Sequence, residues 1–455
     1  MNTKDKNIVK LTWPIYLELL FFMLMGVADT LMLSQYDDLA VAAVGNANRI
    51  VFLFTVLLNI VALGVAVVVS QYLGAQKAKQ ARDSIRVGMH VSLLIGTLVF
   101  IIVQVLGRTF FNLVNTDAVI LNDALGYLRV VALGLIFLGI TQTASAGLKS
   151  HGQTKVIMTV VGFTNLLNVV LNLFLIFGLW IFPELGIMGA AYATTFSKFI
   201  TMIVSLSVLY LKIGVHPFKV PFSMFHEHFY KIFKIGLPSA LEQFVYQFMQ
   251  IFILSFLNTI GVLAVTAQIY VFNLMLPIIV FSLAVSQGNQ ILIGWYVGEK
   301  NYDGAYQRTL KSLKVSLFIV LGLVLIMYVN ASWLLSIFTD DQEVIRLGQR
   351  AMFVVIFLEV GRLSNLVVIQ ALRAAGDVMF PVIIAVFSML GVSLGFSYLF
   401  GIYLGLGIVG IFMGLAMDEI LRGTLVFIRW LKRSWVGKDV VHKKSHVLKE
   451  KTHSV

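Results

Sequence analysis

The sequence predicts an all-α integral membrane protein: twelve transmembrane helices in two six-helix lobes, related by pseudo-two-fold symmetry along the membrane normal. Three observations predict it. Hydrophobic residues make up 59% of the 455-residue chain and charged residues only 12%, about half the roughly 25% charge of a soluble domain. The apolar residues gather in runs long enough to cross a bilayer, about 20 residues each. The chain also repeats itself at one fixed offset, the one that carries Pro14 onto Pro238. The first observation excludes a soluble enzyme and a disordered chain. The absence of cysteine excludes a disulfide scaffold.

In chain order the apolar runs are 10–34, 47–73, 88–107, 124–147, 156–182, 188–211, 235–259, 266–296, 312–336, 348–371, 379–401 and 407–430. They are apolar on most faces, whereas strands of a membrane barrel are about ten residues long and alternate in polarity. The first run follows Lys4, Lys6 and Lys10 but is too long, and too charged, for a cleavable signal peptide. Residues 213–233, with Pro217, Pro221 and several His and Lys, form a cytoplasmic linker. It separates an N-lobe (1–212) from a C-lobe (234–430), and a basic tail (431–455) follows.

Basic residues occupy alternate loops: Lys77, Lys79, Arg82 and Arg86; Lys149 and Lys155; Lys212, Lys219, Lys231 and Lys234; Lys300, Arg308, Lys311 and Lys314; then Lys432, Arg433, Lys438, Lys443, Lys444, Lys449 and Lys451 in the tail. The other loops are nearly bare of them, with Arg108, Arg346 and Arg350 as exceptions. By the positive-inside rule both termini are cytoplasmic. The net charge of +12 is therefore a topology signal, not a sign of nucleic acid. The tail is expected to be a solvated, lipid-facing segment.

The repeat is explicit. Trp13-Pro14 and Leu17-Glu18 match Leu237-Pro238 and Leu241-Glu242; Leu39-Ala40-Val41 matches Leu263-Ala264-Val265; Tyr72 and Gly74 match Tyr296 and Gly298. Leu148-Lys149 and Gly152 match Leu372-Arg373 and Gly376, and Gly186…Gly189 matches Gly407…Gly410 after a short slip. Six helices is an even number, so the halves share one orientation, a parallel repeat whose lobes can rock to give alternating access. That arrangement implies a transporter. A Walker lysine loop, a zinc-type His/Glu pair and a His cluster are all absent from the sequence, which implies no cofactor, no enzymatic role and an ion gradient as energy source.

Ionisable groups inside a span cost roughly 2.5 to 3.5 kcal/mol at its centre, so each needs a reason. The first helix holds Glu18 and Asp29. Eleven positions apart, they return to within about 20° of one face, about 16 Å apart along the axis. The fifth holds Thr164, and Asn165, Asn168 and Asn172 in one stripe; the sixth holds Thr194, Thr195 and Lys198; Asn46 and Asn48 begin the second. Amides of this kind also simply join helices, at about 0.6 to 2 kcal/mol each. The second lobe differs. It has Glu242, Gln243, Tyr246, Gln247 and Gln250, then Glu359, Arg362 and Asn365, then Asp418, Glu419 and Arg422, and it has Ile253 at the place of Asp29. Glu359 and Arg362 are spaced to pair within their helix, and the last group leans toward a structural or helix-end role.

Gly26-Val27-Ala28-Asp29-Thr30 with Leu39–Val44, the stretch Gly147-Leu148-Lys149…Gly152-Gln153-Thr154 with Asn165…Asn168…Asn172, and Leu372-Arg373-Ala374-Ala375-Gly376-Asp377 with Pro381 resemble the multidrug and toxic compound extrusion (MATE) transporters. The resemblance runs from about residue 8 to 430 and is carried by the order, spacing and duplication of these motifs. It implies a two-lobe, twelve-helix fold and cation-coupled efflux of amphipathic, cationic compounds. It places the family's N-lobe cation site on Asp29, Asn168, Asn172 and Thr194. Asn172 stands where the family has an aspartate, which leaves Asp29 as the sole acid there. That favours protonation of one carboxylate over tight Na⁺ binding, with Asp29 and Asn168 as the candidates for any Na⁺. Glu18, Glu242, Glu359 and Arg362 are secondary candidates, Glu18 as a second acid or as a cytoplasmic gate together with Glu242. One branch has acids on the seventh and tenth helices. Here Glu242 is about a turn displaced with Tyr246 near the expected place, and Arg362 stands where an acid is expected, which points nearer the DinF-like branch.

The expected function is thus secondary active efflux of amphipathic, cationic compounds by antiport with H⁺ (or Na⁺). The expected setting is the plasma membrane, with small-molecule substrates and the lipid bilayer as the partners of a monomer. The alternative is a flippase for lipid or lipid-linked oligosaccharide. Such a pyrophosphate substrate calls for several basic residues in the cavity, and Arg49, Arg129, Lys198 and Arg362 are scattered.

Overall fold

The computed structural model describes residues 8–113, 115–217 and 222–442. Lys4, Lys6, Lys219, Pro221, Lys443, Lys444, Lys449 and Lys451 lie outside the described residues. The long helices are α1 (Ile8–Tyr36), α2 (Asp38–Gly74), α3 (Ala78–Leu113), α4 (Ala118–Ser150), α5 (Thr154–Phe177), α6 (Gly186–Ile213), α7 (Phe225–Ile260), α8 (Val262–Gly298), α9 (Tyr302–Val329), α10 (Gln342–Ala374), α11 (Met379–Tyr403) and α12 (Gly407–Leu431). Among the described residues there is no strand. Eleven of these helices are long and apolar enough to cross a membrane. The twelfth, α12, has 25 residues and is set apart by Asp418, Glu419, Arg422 and Arg429 along its length.

Several helices run past the apolar runs. Residues 78–87 extend α3 in polar sequence, stabilised by an Arg86–Asp83 ion pair of 2.7 Å one turn apart. The start of α7 at Phe225 likewise lies inside the stretch read as a linker, 213–233. Hydropathy marks only the stretch in lipid, so such ends escape it. The run expected at 312–336 is not one helix. It breaks at Asn330, whose side chain bonds back to the Ile326 carbonyl at 2.8 Å, and a short helix, Ala331–Ser336, follows. The two halves share their joints. One residue separates α1 from α2 (Asp37) and α7 from α8 (Gly261). Asp37 caps α2 by accepting the Leu39 N–H at 3.1 Å. Gly152 and Gly376 both take positive φ (77° and 88°) just after α4 and α10, where the chain reverses most easily through glycine.

Two compact units form. One holds residues 17–73 and 77–240; the other holds 8–16, 74–76 and 241–442. In the first, α4 packs on α3 and α6, and α6 on α5, around Leu58, Val103, Leu128, Leu135 and Ile176. Gly189 lets α6 close on α5: a Cβ there would overlap the Leu175 carbonyl oxygen. In the second, α10 is central, packed on α8, α9 and α12 around Val271, Ile293, Val355, Leu363 and Val426. Gly410 repeats the close approach, here to the Phe400 backbone of α11. Large apolar side chains face outward, as on α3, where Leu94, Leu98, Ile101 and Val105 follow helical spacing and are all more than half exposed. A bilayer, not water, is the solvent for such a face.

The described part of the tail, 432–442, departs from expectation in part: Lys432, Arg433, Ser434, Val436 and Gly437 are exposed, but Trp435, Asp439, Val440 and Val441 are buried. Trp435 is 1% exposed and stacks on Trp430 at 4.2 Å. Asp377 accepts from Arg429 at 2.7 Å and from Lys438 at 2.8 Å. Positive charges expected to face lipid are in part neutralised by this buried acid.

Candidate functional site

The first unit carries a buried polar site. Asp29 sits two turns before the end of α1. Asn168 and Asn172, one turn apart on α5, are fully buried. The Asn172 amide nitrogen donates to Asp29 Oδ1 at 2.6 Å and to Asn168 Oδ1 at 3.3 Å. Its two hydrogens are thereby used. The Asn168 amide nitrogen and the Asn172 carbonyl oxygen are buried with no partner among the described residues. Asn168 and Asn172, four residues apart, share one face of α5, and the helix ends at Gly178, whose left-handed backbone N–H donates to the Phe174 carbonyl.

Thr194, buried on α6, lies beside Tyr127 of α4, which also neighbours Asn48 of α2. Tyr127 and Lys198 of α6 are both in electrostatic range of Asp29. The Lys198 stem lies over Gly134, where a Cβ would come within 3.1 Å of its Cδ. The expected residues Asp29, Asn168 and Asn172 are thus in one hydrogen-bonded chain, and Thr194 lies near it beside Tyr127. Tyr127 escapes sequence reasoning, because a membrane-helix tyrosine reads like any interfacial aromatic. Asn165, in the same sequence stripe, takes no part in the chain and its amide nitrogen has no partner among the described residues.

The secondary candidates fall elsewhere. Glu18 is held by Lys149 at 2.8 Å, and Glu242 by Arg373 at 2.6 Å. Glu359, fully buried on α10, pairs with Arg362. Asp418, Glu419 and Arg422 complete a network with them. Arg422 grips Asp418 with two bonds of 3.0 and 2.7 Å and reaches Glu419 at 3.1 Å; Asn365 donates to Glu419 at 2.8 Å. Five charged side chains from α10 and α12 are thereby paired in one network, as charges buried in an apolar medium must be, with Glu359 Oε2 left without a partner among the described residues. Among the described residues no group of three His, Asp or Glu is placed to hold a metal ion.

The MatE family model matches the chain twice, over residues 14–174 and 238–399, so that the matches begin on the two equivalent prolines, Pro14 and Pro238. The chain belongs to the MATE family of transporters. It is 40% identical over 439 residues to the uncharacterized transporter YisQ of Bacillus subtilis, covering 96% of each chain. It is 27% identical to the probable multidrug resistance protein NorM of Thermotoga maritima, covering 96% of this chain and 94% of that one. Its fold matches a multidrug resistance MATE family transporter of the MOP superfamily solved in an outward-facing conformation, with TM-score 0.85, 22% identity and coverage of 95% and 96%. It also matches a MOP superfamily transporter from Pyrococcus furiosus whose binding pocket has reversed polarity, with TM-score 0.84, 21% identity and coverage of 94% and 95%. The match to these transporters carries the two-lobe helical fold.

Proposed function

We propose that this MATE transporter exports amphipathic, cationic compounds across the plasma membrane in exchange for protons, with Asp29 as the proton carrier. The observation that carries the reading is the 2.6 Å bond from Asn172 to Asp29, made by the one carboxylate of a buried amide site. A charged Asp29 accepts this bond and offers negative charge to a cationic substrate. A protonated Asp29 carries an O–H that needs an acceptor as well. The Asn172 carbonyl oxygen lacks a partner among the described residues, and turning the amide over would present it. The α1–α5 contact then changes from a charge-assisted bond to a neutral one of about half the strength. Protonation is thus coupled to the packing of α1.

The same geometry supports H⁺ over Na⁺. A hard cation seeks several oxygens, while Asn172 directs its N–H groups at both nearby oxygens. The basic residues near the ends of α2, α4, α6 and α8 support cytoplasmic termini. A monomer remains the expected unit. The reading of a lipid or lipid-linked oligosaccharide flippase gains nothing from the basic side chains. Arg362, Arg373 and Arg422 are each committed to acids. The test is efflux of a fluorescent lipophilic cation from proteoliposomes under an imposed pH or Na⁺ gradient separately. Efflux driven by the pH gradient alone is expected; efflux driven only by Na⁺ contradicts the reading.

A further inference from the structure

Glu18–Lys149 and Glu242–Arg373 are the same ion pair built twice. The repeat that carries Pro14 onto Pro238 also carries Glu18 onto Glu242 and Lys149 onto Arg373. The pairs join α1 to α4 at 2.8 Å and α7 to α10 at 2.6 Å, and none of the four side chains is more than 15% exposed. Each acid comes one turn after a proline inside its helix, Pro14 or Pro238. Proline removes an i to i−4 hydrogen bond, so the preceding turn holds the phase of the helix poorly. The chain also changes unit there. Residues 8–16 belong with the second unit and α1 joins the first at Leu17; α7 joins the second at Leu241. Glu18 is therefore the first charged side chain of α1 inside the unit that holds Asp29.

We propose that Glu18 and Lys149 are positioning residues for Asp29, fixing the rotation and height of α1 so that Asp29 meets Asn172. Glu18 and Asp29 lie within about 20° on one face, so a pin at one end sets the other. Asp29 is faced by Asn172 from α5, Lys198 from α6 and Tyr127 from α4. A small rotation of α1 alters all three relations. In the second unit the same pin sets a helix that carries Ile253 at the corresponding place. The ion pair is repeated and its consequence is not.

This inference rests on Asp29 as the coupling acid. The experiment is pH-dependent cation efflux by reconstituted variants, with insertion checked for each. Glu18→Gln and Lys149→Gln are expected to displace the pH of half-maximal transport by about one unit, a tenfold change in proton concentration. Glu242→Gln and Arg373→Gln are expected to slow transport without displacing it. Lys149→Arg, which installs the base used in the other unit, is expected to keep the wild-type profile. Glu18→Asp keeps the charge but is one methylene short, and is expected to displace the profile measurably while still folding. An unmoved profile in Glu18→Asp and Lys149→Gln, or an equal displacement in Arg373→Gln, overturns the proposal. Full pH dependence in Asp29→Asn instead overturns the reading of Asp29, whatever the pair variants do.

Discussion

The two lobes share their frame and exchange their chemistry. Asp29, Asn48, Tyr127, Asn168 and Asn172 make the polar site of the first lobe; the repeat puts Ile253, Phe272, Ala351, Val392 and Phe396, all apolar, at the same places in the second. Glu359 and Arg362 anchor the charged network of the second lobe; their counterparts in the first are Leu135 and Leu138. What both lobes keep is architectural: the one-residue hairpins, the glycine turns, the close approaches at Gly189 and Gly410, and the Glu–Lys or Glu–Arg pin. The two polar groups also differ in kind. The charged network pairs acids with arginines, whereas the amide site sets one carboxylate against neutral amides. Each leaves buried polar atoms without a partner among the described residues, Glu359 Oε2 and Asn365 Oδ1 in the network and Asn168 Nδ2 and Asn172 Oδ1 in the amide site. Paired opposite charges suit a scaffold, and a carboxylate without a basic partner in hydrogen-bond contact suits a site that changes its protonation state.

This contrast can be broken from either side. The largest effect is expected in the network: Arg422→Ala removes the ion-pair partner of Asp418 and one partner of Glu419 and should cost about 3 to 5 kcal/mol, read as a lowered melting temperature in detergent. Moving the first lobe's acid into the second comes next. Ile253→Asp lacks the Asn172 partner and should cost about 2.5 to 3.5 kcal/mol without adding a second pH-dependent step to efflux; a new step would break the comparison. Smallest is the shared frame, where Gly189→Ala and Gly410→Ala drive a Cβ against backbone and should each cost about 1 to 3 kcal/mol. Similar losses from the two are expected, and a loss from only one would show that the lobes pack differently.

Much of this plan is legible in the sequence. The run lengths and the fixed offset of the repeat specify the helices and the duplicated joints, because bilayer thickness constrains apolar length strictly. Asp29, Asn168 and Asn172 stand out because polar groups in lipid need a reason. Three features do not show. Tyr127 is inconspicuous until α4 is packed on α6. Lys149 reads as a loop charge that sets orientation, since counting charges assigns it to water, and Arg373 reads only as its counterpart in the repeat. Lys438 of the tail reads the same way as Lys149, and only the packed turns around Asp377 and Trp430 reveal what it meets. In each case the missing information is which distant element a side chain faces, which periodicity does not contain.

The most direct test of the central claim is efflux of a fluorescent lipophilic cation by purified Asp29→Asn protein in proteoliposomes under an imposed pH gradient. The variant keeps the side-chain shape and an oxygen able to accept from Asn172, so normal insertion and melting temperature are expected. With Asp29 as the proton carrier, efflux loses its response to the pH gradient. A normally inserted Asp29→Asn transporter that extrudes the cation with full dependence on the pH gradient would contradict that role.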